Sequence, residues 1–299
     1  MKQFLYLIVI AFVFASCEEN ISLDLPREDP RVVVDGYVET GLPPYVILSR
    51  SSSYFDPINP GALNSFAESG AFVTINDGVK TVQLIELDTV VNGVSLKGFY
   101  AALDSVTKLP TMFGMFGEEG RTYQLTIITK DNQQLSSTAK LQPHIALDST
   151  WFKVQENLDS LGLAWGHLTD PDSIGNCYRW MAKRITKDDL FLAPLGSAFE
   201  DKFINGQSFD FNALRGQIPN STKPDDINRD AGLFRKGDTI IVKFCAVDRG
   251  TFEFWRDAET QISNNGSPFA VPSNIKSNIT GGLGVFATYS PAYDTIIAQ

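Results

Sequence analysis

Residues 122–128 read Thr-Tyr-Gln-Leu-Thr-Ile-Ile, and this stretch decides the fold. Tyr123, Leu125 and Ile127 alternate with polar residues, which is the period of a strand with one face in a core and the other in solvent. Six further stretches before residue 144 are also rich in β-forming residues: 32–38, 45–48, 71–76, 82–87, 98–101 and 135–141. Short strands separated by turn residues predict an immunoglobulin-like or carboxypeptidase-regulatory-like β-sandwich over residues 31–143.

A second β-rich domain is predicted over residues 144–299. Strand-like stretches recur there at 151–154, 161–165, 177–182, 239–247 and 284–289. Phe252, Trp255 and Ala258 recur at a spacing of three or four residues, which predicts one helix over about 250–263. The segment of about 191–236 is predicted to be a long loop, and connections of that length are usually functional or disordered. Its interleaved Phe residues favour an ordered one.

The N-terminus has the features of a lipoprotein signal peptide. Lys2 precedes an apolar run over residues 4–14, which is shorter than the ~20 residues that a membrane-spanning helix needs. The run leads into Ala15-Ser16-Cys17, which resembles the box at which a bacterial lipoprotein is cleaved and lipidated. We therefore expect a signal peptide over 1–16, lipid on Cys17 and a tether over 17–30. The alternative is an ordinary secretory signal followed by an unmodified Cys.

Composition excludes several classes of function. The chain has 25 Lys and Arg against 35 Asp and Glu, a formal net charge of −10. Nucleic-acid binding needs clustered positive charge, so we expect no nucleic-acid partner. The two His, His144 and His167, are far apart in sequence and no G-x-S-x-G motif accompanies them. We therefore expect no catalytic residue, no metal and no cofactor.

Two alternatives remain open for Cys177 and Cys245, the cysteines of the second domain. Both lie in apolar strand-like stretches. They form a disulfide if their Cα atoms lie within ~7 Å, and otherwise they are buried thiols that pack as small hydrophobic residues.

Residues 170–176 carry a weak calcium-loop pattern. Asp170, Asp172 and Asn176 place oxygen ligands at alternating positions, as calcium loops do. The rest of an EF-hand is missing from the sequence, and Asp-Pro and Gly-Asn are common turn residues. We therefore favour a turn that joins two strands.

Residues 110–117 form a connection with four large apolar residues, Met112, Phe113, Met115 and Phe116. They are a candidate contact surface for a partner protein, because Met and Phe adapt to varied surfaces. The alternative is a loop that folds back over the end of the sandwich.

Seven Ser and Thr residues follow an Asp in a pattern that resembles the O-glycosylation motif of Bacteroidota-type envelope proteins. They are Thr89, Ser105, Ser149, Ser160, Ser173, Thr239 and Thr295. The alternative is that Asp-Ser and Asp-Thr close the turns before strands. We expect at least one of the seven to be modified.

The chain resembles the outer-membrane lipoproteins grouped as domain of unknown function 4249 (DUF4249). The resemblance covers nearly all of the chain after the signal peptide and is most specific in SNITGGLGVF at residues 277–286. Its other motifs lie at 33–38, 48–51, 71–75, 237–239, 254–255 and 268–269. The resemblance implies a lipid-anchored envelope protein, often found with TonB-dependent transporters, and no known catalysis. Glu18 and Glu19 resemble a surface-export signal, which favours the cell surface over the periplasmic leaflet.

Three functions follow as expectations. The first is a non-catalytic accessory binding protein at the outer membrane, with a TonB-dependent receptor as its partner. The second is a surface enzyme that processes glycans or peptides with paired carboxylates. The third is a carbohydrate-binding module, which needs an exposed coplanar platform of Trp or Tyr. The sequence leaves the oligomeric state open.

Overall fold

The structure is a computed structural model that describes residues 29–52, 66–87, 90–91, 94–95, 97–103, 114–217, 231–264 and 274–299. The predicted signal peptide and nearly all of the predicted tether lie outside the described residues. The described chain is mainly β with one helix, as the sequence predicts.

Seven of the nine strands described in the N-terminal half lie within about two residues of the predicted stretches, and the two-residue strands β5 and β6 were not predicted. Strand β8 shows the expected alternation, because Tyr123, Leu125 and Ile127 are buried while their neighbours face outward. The strands are β1 (Val32–Glu39), β2 (Tyr45–Arg50), β3 (Phe72–Asn76), β4 (Thr81–Glu86), β5 (Val90–Val91), β6 (Val94–Ser95), β7 (Phe99–Ala101), β8 (Thr122–Ile128) and β9 (Gln134–Lys140).

The described part of the C-terminal half contains eight strands and the α-helix α1 (Arg249–Asn264). The helix is where the spacing of apolar residues predicts it. It begins there because the carboxylate of Asp248 accepts the backbone N–H of Thr251 at 2.9 Å, an N-cap bond. The strands are β10 (Ser149–Val154), β11 (Leu161–Thr169), β12 (Cys177–Arg184), β13 (Ala198–Glu200), β14 (Ser208–Ala213), β15 (Phe234–Arg235), β16 (Thr239–Val247) and β17 (Leu283–Ile297).

The prediction of a long loop over 191–236 is wrong for the part that the structure describes. That part contains β13, β14 and β15, and β14 pairs along β11. Phe209 and Phe211 of β14 alternate with polar residues and turn inward to pack against the core. The alternation was present in the sequence, but polar residues and turns surround this strand on both sides.

One sheet runs through both halves of the chain. Its strand order is β13-β12-β16-β17-β1-β2-β7-β4-β3-β8-β9. The joint between the halves is a parallel pairing of β1 with β17, in which residues 33–39 lie beside 283–289. The division into two domains at residue 143 stays a prediction. The pairing of β1 with β17, the first and last strands of the described residues, joins the two halves in one sheet. A second, small sheet contains β10, β11 and β14, with β15 paired to β11.

Three groups of buried side chains hold these layers together. The first fills the N-terminal sandwich and includes Val34, Leu48 and Leu125. The second lies between the large sheet and the small sheet and includes Trp180, Phe244 and Leu168. The third lies under α1, on the other face of the large sheet; its members include Cys177, Cys245, Phe252 and Tyr289.

A close backbone contact locks β17 against β1. Gly284 has φ +103°, and a Cβ atom placed on it would lie 2.0 Å from the carbonyl oxygen of Val34. Only a residue without a side chain fits there. Gly281 and Gly282 lie close to β9, since their Cβ atoms would lie 2.5 Å from the carbonyl oxygen of Gln134 and 2.3 Å from the side chain of Leu135. The pairing of β17 with β1 therefore explains Gly284, and contact with β9 explains the other two glycines.

A buried ion pair crosses the same joint. The ammonium of Lys243 on β16 lies 2.6 Å from the carboxylate of Glu39 on β1. That carboxylate also accepts hydrogen bonds from the hydroxyls of Tyr37 and Tyr293, at 2.8 and 3.0 Å. Charges out of water are tolerated when they are paired and hydrogen-bonded in this way.

Among the described residues, no helix has the length and apolar character required to cross a membrane.

We predict that Gly284→Ala destabilises the protein far more than Gly175→Ala. The two glycines have the same φ of +103°, but Gly175 has open space where a Cβ would be placed. Gly175→Ala should cost only the backbone strain, about 1–3 kcal/mol, and Gly284→Ala should cost at least about 2 kcal/mol more. Urea unfolding of the two variants measures the difference. Equal losses would contradict the close contact between β17 and β1.

Candidate functional site

A pocket of about 460 Å³ opens between β13 and β14 at the edge of the C-terminal half. Its wall is aromatic and contains Trp180 from β12, Phe199 from β13, and Phe209 and Phe211 from β14. The alternation of β14 turns both of its Phe side chains inward, so strands of the large sheet and of the small sheet contribute rings to one cavity.

The aromatic rings of the wall pack against one another. Phe211 meets Trp180 edge to face, with ring centroids 5.6 Å apart and an interplanar angle of 86°. Phe199 lies 5.6 Å from Phe211 and 6.1 Å from Phe244, which is in the core behind them. Contacts of this kind fix the rings in place, so the pocket is formed before any ligand enters.

The rim of the pocket exposes apolar side chains to water. Phe203 is 83% exposed and Leu195 is 54% exposed, and both line the pocket together with Leu214. Exposed apolar residues are ordinary when they are scattered, but here they surround the mouth of an apolar cavity. Trp180 adds a polar feature to the wall, because its indole N–H is buried and has no hydrogen-bond partner in the described part of the chain.

The carboxylate at this pocket is engaged by a cation. Glu200 lies 2.5 Å from the guanidinium of Arg249. The hydrogen bond and charge of Arg249 hold the pKa of Glu200 below its usual value. The side chain of Glu200 is therefore ionised and paired at neutral pH. A general acid must carry a proton at that pH, so Glu200 fits the role of a polar group at the rim of the pocket and not that of a general acid.

Buried polar groups beside the pocket attach α1 to the sheet. The guanidinium of Arg179 lies 3.6 Å from the ring centre of Trp255 and donates a hydrogen bond to the hydroxyl of Tyr289 at 2.9 Å. Trp255 donates to the same hydroxyl at 2.6 Å. Burial raises the pKa of Tyr289 to about 12, so it stays protonated. Glu259 accepts hydrogen bonds from Ser197. These groups orient the helix.

Each His is paired with its own carboxylate. His144 Nδ1 lies 3.1 Å from Glu119, and His167 Nδ1 lies 2.5 Å from Asp210. Ser149 is opposite His167 in the pairing of β10 with β11. Within the described part of the chain, the side chain of His167 is hydrogen-bonded to Asp210 and not to Ser149. The sequence could not reveal the pair of His167 with Asp210, because it depends on the register of β11 with β14.

Cys177 and Cys245 are free, buried thiols and form no disulfide with each other, which is the second of the two alternatives left open by the sequence. They lie on the neighbouring strands β12 and β16, two positions out of register, in the core under α1. Burial raises the pKa of Cys177 to about 11 and that of Cys245 to about 12.

The calcium-loop residues form a turn. Asp170 is buried and accepts hydrogen bonds from the hydroxyl of Tyr178 and, at 3.1 Å, from the backbone N–H of Gly206. Asn176 donates to the carbonyl of Ser173 at 2.6 Å, while Asp172 is exposed. Within the described residues, no group of three or more His, Cys, Asp and Glu could hold a metal ion.

The proposed contact loop is corrected in part. Met115 is fully buried in the core of the N-terminal sandwich, so it cannot contact a partner. Its length and flexibility suit a core residue equally well, and the sequence could not separate the two roles. Phe116 is partly exposed. Met112 and Phe113 lie outside the described residues.

The candidate glycosylation sites differ in exposure. Thr89 and Ser105 lie outside the described residues. Three of the described sites are exposed: Ser149, Ser173 and Thr295. Two are half-buried: Ser160 and Thr239. Thr295 lies inside β17, where no turn explains the motif.

Comparison with known proteins identifies a family but no activity. The family described as domain of unknown function (DUF4249) matches residues 18–294. No curated protein matches the chain. Two solved structures are similar, a mutant of Salmonella alpha-2-macroglobulin and the same protein reacted with methylamine. Their identities are 10% and 12%, their TM-scores 0.21 and 0.20, and they cover 94% and 79% of this chain. The chain spans only 15% of either structure, and TM-scores this low support no conclusion about function.

We predict that Cys177 and Cys245 resist alkylation in the folded protein. A pKa of about 11 in place of the usual 9 leaves roughly 100-fold less thiolate on Cys177 at pH 8, and burial blocks access as well. Mass spectrometry after iodoacetamide treatment should find both unmodified in buffer and both modified in urea. Rapid native labelling, or a mass two hydrogens lower in the untreated protein, would contradict this prediction.

Proposed function

This chain belongs to the DUF4249 family, and we propose that it is a non-catalytic binding protein held to the outer membrane by lipid on Cys17. In this proposal it faces the cell surface and acts as an accessory of a TonB-dependent transporter. The anchor is supported by the signal-peptide pattern and by the lipidation box that Cys17 completes. The transporter is supported by the resemblance found in the sequence, which implies lipoproteins that are often found with such transporters.

The binding role rests on the aromatic pocket. A cavity of about 460 Å³ is within the range of ~300–1,000 Å³ of small-molecule sites, and such sites are mostly apolar with a few polar groups. The ligand that fits is an apolar or aromatic group, either a small molecule or a side chain of a partner. A hydrogen-bond acceptor on the ligand would complement the buried N–H of Trp180, whose side chain lines the pocket.

The tether supports action at a second protein in the membrane. Residues 17–30 contain two Pro and little hydrophobic periodicity, a composition typical of a linker. At ~3.3–3.6 Å per residue, a linker of this length has a maximum reach of roughly 50 Å. Because β1 starts at Val32, the tether enters the folded part in the middle of the large sheet.

The first test is the anchor. Lipid on Cys17 should place the full-length protein in the detergent phase of a phase-partitioning experiment on native membranes. Cys17→Ala, produced without the predicted signal peptide over 1–16, should be in the aqueous phase, because it has neither the apolar run nor acyl chains, which contribute ~0.8 kcal/mol per buried CH₂. Mass spectrometry should find acyl chains on Cys17 of the wild type. A wild-type protein with an unmodified Cys17 would overturn the anchor.

The second test is the pocket, carried out on the aqueous Cys17→Ala protein with the apolar dye anilinonaphthalene sulfonate. We expect saturable binding that the double change Phe203→Ser and Leu195→Ser weakens by about tenfold, since it removes apolar contact area at the rim. Val79→Ser is the matched control, because Val79 is 79% exposed in a turn of the N-terminal half. Equal affinities of all variants would exclude the pocket.

The transporter is tested separately with the lipidated wild type. Purification from native membranes in mild detergent should recover a TonB-dependent transporter together with the protein. Recovery of the protein alone would overturn the accessory role while leaving the pocket result intact.

A further inference from the structure

The small sheet has an outer face that the aromatic pocket does not use. Along β11, Ala164 and Leu168 turn inward to the core, so Trp165, His167 and Thr169 point outward. The direct pairing of β11 with β10 and β14 places the partners of these three residues on the same side. On the outer face, residues that are directly opposite one another on neighbouring strands form rows that run across the small sheet.

One row contains two tryptophans. Trp151 on β10 is directly opposite Trp165 on β11, and their rings are nearly parallel, with an interplanar angle of 17° and centroids 6.0 Å apart. The two rings are stacked on each other, so a ligand could pack only on the ring faces that turn away from the pair. Both side chains are partly exposed. The ammonium of Lys153 lies 5.4 Å from the ring centre of Trp165.

Hydrogen-bonding groups surround the tryptophans. Asn212 is opposite Trp165 in the pairing of β11 with β14 and is exposed. The next row contains His167, with its Nδ1 2.5 Å from Asp210. The row after that contains the hydroxyls of Thr169 and Ser208, 2.8 Å apart. Amide, imidazole and hydroxyl groups all donate or accept hydrogen bonds without carrying a fixed charge.

The face carries charges of both signs. Lys153 and Arg235, which is opposite Leu161 on the same side of β11 as Trp165, are cations, and Asp210 is a carboxylate that is already in contact with His167. A strongly charged ligand of either sign would meet a like charge, so the face suits a neutral one.

From this arrangement we propose that the outer face of the small sheet binds a neutral oligosaccharide. A sugar ring presents C–H groups on its faces and hydroxyls around its edge. The C–H groups carry partial positive charge, which matches the negative face of an indole ring. The hydroxyls need donors and acceptors beside the rings, and Asn212, His167 and Ser208 supply them.

The length of the face indicates several sugar units. Residues 163–169 of β11 extend over roughly 20 Å at ~3.3 Å per residue. This site is separate from the aromatic pocket and does not rest on the proposed function. The same strand β14 lines both: Phe209 and Phe211 turn into the pocket, Asp210 lies on the outer face opposite His167, and Asn212 is opposite Trp165 but also borders the pocket.

A protein partner is the competing occupant. Stable protein interfaces bury about 800 Å² on each side around an apolar centre. The outer face has two tryptophans and Leu163 as its large apolar residues on β10 and β11, and most of its other positions are polar. The observations therefore favour the saccharide.

The test is isothermal titration of the aqueous Cys17→Ala protein with four hexasaccharides: β-1,4-linked glucose, mannose and xylose, and α-1,4-linked glucose. We expect at least one to bind with a dissociation constant below about 1 mM. Trp151→Ala and Trp165→Ala should each weaken it by about tenfold or more. Trp165→Tyr should retain part of the affinity, since it keeps a ring.

Phe72→Ala is the matched control, because Phe72 is an aromatic residue of β3 that is 47% exposed far from the small sheet in sequence. It should leave saccharide affinity unchanged. Circular dichroism and melting temperature establish that each variant is folded.

Two results would overturn the proposal: binding of none of the four hexasaccharides at millimolar concentration, or equal binding by the two Trp variants and the wild type. Loss of a co-purifying protein from the Trp variants, without saccharide binding by the wild type, would assign the face to a protein partner instead. None of these results depends on dye binding in the aromatic pocket, so the two sites are tested independently.

Discussion

The parallel pairing of β1 with β17 is the contact on which the rest of the structure depends. It joins the first and last strands into one sheet, and each of the three cores packs against that sheet. The ion pair between Glu39 and Lys243 is buried at this joint. Loss of one partner would leave a charge uncompensated away from water, which costs far more than an exposed pair contributes. Gly284 allows the two backbones to approach closely enough for the pairing to form.

Local pattern was enough to predict most of the elements. Alternation of apolar residues located strands such as β8, and the spacing of Phe252, Trp255 and Ala258 located the helix, because these periods reflect burial within a single element. The family resemblance was confirmed over residues 18–294. The glycines of residues 281–284 stood out in the sequence as a motif. Gly284 is required by a strand about 250 residues away, and Gly281 and Gly282 lie against a strand about 150 residues away, which no local pattern reveals.

The candidate sites were harder to predict because they depend on register. The pair of His167 with Asp210 and the row of Trp151 with Trp165 exist only when three strands are aligned. The aromatic pocket depends on β14, which lies within the stretch predicted as a loop. The sequence of residues 110–117 left open a contact surface or a loop folded back over the sandwich, and the buried position of Met115 fits the second. The sequence showed which residue types were present at single positions, and the strand register determined which of those residues lie next to one another.

The position of β1 has a mechanical consequence. It is bonded on one side to β17 and on the other to β2, so it is an interior strand of the large sheet. A load applied to the N-terminal tether would pull β1 along its own axis. The hydrogen bonds of both ladders then carry that load in parallel, and many must break before the strand slides. Traction on the end of the chain is thus met by shear across the centre of the sheet, whereas an edge strand would peel away one bond at a time.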